Sequence, residues 1–130
     1  MIMRTKELWN FIILPAVILL TLDSIYIYSI LNDFKLQIME VQNDVLQVKY
    51  LGAVLCYFFL IFGLYYFIIR DHKSVFDAVL FGFIIYGVYD TTTYALFKKW
   101  KLNIMVMDII WGGTLMGLTT WLTYKFSIKN

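Results

Sequence analysis

Residues 86–117 read YGVYDTTTYALFKKWKLNIMVMDIIWGGTLMG. Two apolar runs flank a basic turn of Lys98, Lys99, Trp100 and Lys101, and each run carries one acid, Asp90 before the turn and Asp108 after it. Because a transmembrane helix needs about 20 apolar residues, this pattern predicts two antiparallel spans joined at the headgroup level, where Trp and Lys are at home. A carboxylate inside such a run costs about 2.5–3.5 kcal/mol on insertion scales, so Asp90 and Asp108 are expected to face a protein interior or a polar cavity.

Outward from this pair, the whole chain reads the same way. Of its 130 residues 62% are hydrophobic, 19% aromatic and only 15% charged, which leaves too little polar surface for a soluble domain. Residues 50–69 are twenty residues without a charge, bounded by Lys49 and Arg70. The turn Arg70, Asp71, His72, Lys73 is short enough to make the second and third spans antiparallel neighbours. Asp77, in the first turn of the third span, complements the helix dipole. Near the N-terminus an apolar run follows Arg4, Lys6 and Glu7; it is longer than a signal peptide's and lacks a small-x-small cleavage site, so it reads as a retained span with a kink at Pro15.

The fold class predicted is all-α: one polytopic transmembrane domain over residues 1–130, an antiparallel bundle with spans at about 9–31, 50–69, 75–97 and 103–126. Residues 32–49 mix acids, lysines and apolar residues at partly helical spacing and are expected to form an amphipathic connector on the membrane surface or a solvated loop. Gly52, Cys56 and Gly63 mark a face for close helix packing, as does the pair Gly113 and Gly117. Six basic residues on the terminal side against five opposite lean toward both termini in the cytoplasm.

Threading the spans alternately brings Asp23, Asp90 and Asp108 to one layer, roughly 8–12 Å inside the same face at 1.5 Å per residue. Tyr57 reaches that depth from the second span, Tyr26 lies one turn from Asp23, and Tyr86, Asp90 and Thr93 share a stripe of the third helix. Asp108 and Trp111 share a stripe of the fourth. These eight side chains, Asp23, Tyr26, Tyr57, Tyr86, Asp90, Thr93, Asp108 and Trp111, form the candidate ligand-binding cluster. No Lys or Arg lies at that depth, so the carboxyls are expected to be protonated, bonded to hydroxyls, paired to a cation, or reached by Lys49 or Lys98 from the ends. One cysteine and one histidine provide neither a disulfide nor a Cys/His metal site, and no cofactor motif is present. A net charge of +2 with scattered lysines argues against nucleic-acid binding.

The segments Tyr86-Gly87-x-Tyr89-Asp90-Thr91, Trp100, Asp108 and Trp111-Gly112, with the early Asp23 in LDSIYIY, resemble a family of small predicted membrane proteins catalogued as domain of unknown function number 2177. The resemblance implies four spans and gives Asp23, Asp90, Asp108 and Trp111 as the matched polar and aromatic positions. It departs at Thr91-Thr92-Thr93, where Leu-Thr-Asn is the family pattern, and at Lys101, where a proline is common. It implies no activity. Three functions fit the residues: transport of a small solute, cation or proton by an oligomer; a non-catalytic membrane component; or an enzyme acting on lipid or isoprenoid substrates. Membrane lipids and a further copy of the chain are the partners expected.

Overall fold

A computed structural model describes residues 4–128. Four helices are long and apolar enough to cross a membrane: α1 Thr5–Gln42, α2 Tyr50–Ile69, α3 Val75–Leu96 and α4 Leu102–Phe126. The second, third and fourth match the expected spans to within a residue or two. The first does not: it passes residue 31 and continues to Gln42, so most of the expected connector is helical and continuous with α1, and only residues 43–49 are irregular. Nothing in residues 32–42 would stop a helix, since Lys, Leu, Gln, Met and Glu are good helix formers and no Gly or Pro intervenes. Termination waits for Asn43, which adopts a left-handed backbone (φ 58°) and donates its N–H to the Met39 carbonyl at 2.9 Å.

Pro15 leaves its mark one turn earlier. Its ring nitrogen cannot donate to the Phe11 carbonyl, and residues Trp9–Ile13 widen into a π-helical turn in which the Leu14 N–H reaches the Trp9 carbonyl. The helix continues without ending, as expected. A second π turn, Tyr65–Ile69, finishes α2, with the Arg70 N–H on the Tyr65 carbonyl at 2.9 Å. The chain then reverses through His72 (φ 51°), and the Ser74 hydroxyl caps α3 by accepting from the Asp77 N–H at 3.0 Å.

The closest pairing is between α3 and α4. Gly82 and Gly112 meet backbone to backbone: a Cβ on Gly82 would overlap the Gly112 carbonyl, and one on Gly112 would overlap the ring of Tyr86. The predicted pair Gly113 and Gly117 lies on the same interface, against Phe83 and Val79. The other predicted small-residue face is not a packing face. Cys56 is exposed, no atom comes within 4 Å of a Cβ built on Gly52, and only Gly63 touches a neighbour, the Phe81 ring. The physical reason is that α2 closes the bundle with large side chains, Leu60, Leu64, Ile68 and Ile69, at its C-terminal half. Against these pack Leu19, Ala78, Leu115 and Met116, all fully buried.

Beyond the bundle, the extension of α1 docks on the turn between α3 and α4. Gln37 is fully buried there, donating its amide to the Lys99 carbonyl at 2.8 Å and accepting the Lys101 N–H at 2.9 Å. Trp100 is buried with its ring edge-on to Phe34. At the opposite end Asn10 exchanges two hydrogen bonds of 2.7 Å with the backbone of Ile128, so the two ends of the chain lie together.

Candidate functional site

Asp90 lies six residues before α3 ends at Leu96, Asp108 six after α4 begins at Leu102, and Tyr57 seven after α2 begins at Tyr50. At 1.5 Å per residue each is about 10 Å inside the same end of the bundle. Asp23 joins them by direct bonding, although α1 runs far beyond the layer. What fixes the level of Asp23 is therefore its partners, since the helix end expected near residue 31, from which its depth is counted, does not exist.

The three carboxyls do not form one cluster, and this is what threading alone could not reveal. Asp23, buried, has both oxygens occupied: Oδ1 accepts the Trp111 indole N–H at 2.9 Å, and Oδ2 accepts the Tyr57 hydroxyl in a short hydrogen bond. It links α1, α2 and α4 through one side chain. The Tyr26 ring stacks on Trp111, with centroids 4.6 Å apart and planes 5° from parallel, and its hydroxyl donates to Asp108 Oδ1 at 3.3 Å. Such a stack fixes the indole so that its N–H points at Asp23.

Asp90 is different. It is 1% exposed, and neither of its oxygens receives a hydrogen bond from a protein N–H or O–H group. The charged side chain that acts on it most directly is Asp108 of the adjoining helix, a second carboxyl near enough to interact with it electrostatically. Two carboxyls that repel each other in this way are accommodated by a proton held on one of them or by a small cation between them. Lys49 and Lys98, the lysines expected to reach inward, are exposed at the ends; Lys101 pairs with Glu40 of the α1 extension at 3.7 Å, and Arg70 with Asp71 at 3.7 Å in the turn after α2.

Of the remaining predicted members, Tyr86 is half-buried across Gly112 and within electrostatic reach of Asp23 and Asp108, with its hydroxyl bonded to neither. Thr93 is buried beside the layer, but its hydroxyl donates to the Tyr89 carbonyl at 2.8 Å and so is withheld from the carboxyls. In apolar surroundings a threonine hydroxyl finds its own helix first. Among the described residues no three His, Cys, Asp or Glu side chains group closely enough to hold a metal ion. Thr119 falls on the Asp108–Trp111 stripe of α4, whereas Gln37, Gly82 and the buried Thr120 and Thr123 carry no signal in the sequence, where each looks like an ordinary polar or small residue in its run.

The family model described as Predicted membrane protein (DUF2177) matches residues 8–125, nearly the whole chain. No curated protein and no solved structure matches it.

Proposed function

We propose, for a chain that belongs to the DUF2177 family of predicted membrane proteins, that the Asp90–Asp108 pair takes up a proton or a small monovalent cation within the bilayer, as the loading step of transport. One observation carries the reading: a buried carboxyl whose neighbour is a second carboxyl, with no basic side chain at that depth. Such a pair is costly in a membrane unless something positive is shared between its members. Two carboxylates with the Tyr26 hydroxyl suit one small charge better than a divalent ion, which asks for six or more oxygen ligands. Asp108, only half-buried, is the member through which an ion arrives, and Asp90 the member that retains it.

Asp23 has a separate role in this reading. With both oxygens engaged it holds Trp111 and Tyr57 in place and has no free oxygen for a ligand.

The test is thermal melting of purified protein with and without Na⁺ and K⁺ across pH 4 to 8, followed by flux in reconstituted vesicles under an imposed gradient. Wild type is expected to be stabilised by its ion and to move it, and Asp90→Asn to lose both properties. An identical melting profile in the two proteins, together with no flux from wild type, overturns the reading.

A further inference from the structure

A second polar layer lies at the other end of α4. Four of its residues follow one another at i, i+4 spacing down one stripe: Trp111 beside the carboxyls, then Leu115, Thr119 and Thr123. Thr119 is seven residues from the end of α4 at Phe126, about 10 Å, and eleven from Asp108, about 16 Å. Thr119 and Thr120 are both fully buried, and the hydroxyl of neither has a protein partner. This sets them apart from the other threonines of this helix: Thr114 donates to the Ile110 carbonyl at 2.9 Å and Thr123 to the Thr119 carbonyl at 2.6 Å. A hydroxyl left unbonded in an apolar interior is costly, and the ordinary helical remedy is not taken here.

One turn above these two hydroxyls is a cleft of about 200 Å³, lined by Asn10, His72, Thr123, Tyr124 and Ser127 among others. Its walls are fixed: Asn10 is tied to Ile128, His72 stacks on Tyr124 with centroids 4.0 Å apart, and the Tyr124 hydroxyl donates to the Lys73 carbonyl at 2.6 Å. Phe11 and Ile69 complete the lining, and Thr119 and Thr120 lie just beyond it, one turn inward of the lining residues Thr123 and Tyr124. Inward again, Leu19, Leu64, Leu115 and Met116, each 0% exposed, separate this end from the carboxyl layer.

We infer that this cleft is a hydrated vestibule whose floor is the Thr119 and Thr120 hydroxyls, and that it admits water and a proton or small cation to the leucine and methionine septum from the end of the bundle that holds both termini. The inference extends the transport reading by supplying the access path opposite the carboxyl pair. Water satisfies the two hydroxyls, as buried polar groups require two to four partners per water to hold it, and the cleft offers Thr123, Ser127 and His72 as further ones.

The chain's single native cysteine makes the test clean. In a Cys56→Ser background, Thr123→Cys, Thr119→Cys, Thr120→Cys and Met116→Cys are exposed in membrane vesicles to a charged, water-soluble methanethiosulfonate reagent. Thr119→Cys and Thr120→Cys are expected to react at a rate close to that of Thr123→Cys and at least about tenfold faster than Met116→Cys, because thiol reactivity requires aqueous access. Labelling at both threonine positions as slow as at Met116 overturns the vestibule. The double variant Thr119→Val, Thr120→Val gives an independent readout: a hydrated floor loses melting temperature when its hydroxyls are removed, whereas a dry one gains it. These measurements read the vestibule alone, and Asp90→Asn reads the carboxyl pair alone, so failure of either proposal is recognised separately.

Discussion

Asp23, Asp90 and Asp108 look alike in the sequence, each an acid in an apolar run, and at the scale of single residues their surroundings make them unlike. Asp23 accepts from Tyr57 and Trp111 across three helices, and each such bond is worth about 0.5–1.5 kcal/mol net. Asp23→Ala is therefore expected to lower stability by about 2–4 kcal/mol, since it also leaves an indole N–H and a phenol unpaired. Asp90→Asn removes one of two facing carboxyls and is expected to leave stability unchanged or raise it in the absence of a bound ion. Denaturation of the two variants side by side in detergent at neutral pH distinguishes these cases. Equal losses for both would mean that Asp90 has a structural partner comparable to those of Asp23.

At the scale of elements, the α3–α4 pair is held by contact between glycine backbones. Gly82 meets Gly112 where no side chain fits, and overpacking at such a point costs about 1–3 kcal/mol. Gly82→Ala should separate the helices, lower the melting temperature and move Asp90, two turns along α3, away from Asp108. Gly52→Ala, in α2 with open space around it, should be neutral or stabilising by up to about 1 kcal/mol through helix propensity. Melting of the two single variants checks both statements; a large loss at Gly52 would show a partner on the outer face of α2. The GxxxG-like spacing of Gly113 and Gly117 correctly marked this face of α4, and the tightest contact involves Gly82 of α3, which stands four residues after the fully buried Ala78 in a second small-xxx-small pair.

At the scale of the molecule, α1 is a strap. It enters at the terminal end, crosses the carboxyl layer and continues to Gln37, whose amide replaces backbone partners for the turn at residues 97–101. Gln37→Leu is expected to cost about 1–3 kcal/mol, because the Lys99 carbonyl and the Lys101 N–H lose the buried amide that pairs with both, and to increase protease cleavage in that turn. Glu40→Gln, which breaks only the exposed pair with Lys101, should change stability by less than about 1 kcal/mol. Comparable effects from the two substitutions would assign the docking to charge and not to the buried amide.

The sequence by itself determined the membrane class, four spans, an all-α bundle, the family resemblance and the depth of Asp90 and Asp108. Each of these depends on hydropathy, helix rise or local spacing, which are properties of a single segment. It also located Tyr57, Tyr26 and Trp111 near the acids. Only the tertiary structure decided which acid meets which partner, because rotation of a helix about its axis is set by packing against its neighbours, and the apolar residues of a membrane helix surround it on nearly every side. The helix formers of residues 32–42 and the absence of Gly or Pro allowed a continuation of α1, but their polar character pointed to the membrane surface, and only the docking site on the turn that Gln37 and Phe34 cover explains it. The separation of Asp23 from the Asp90–Asp108 pair, and the two unpaired threonines beneath the opposite cleft, exist only once four helices have fixed their faces toward one another.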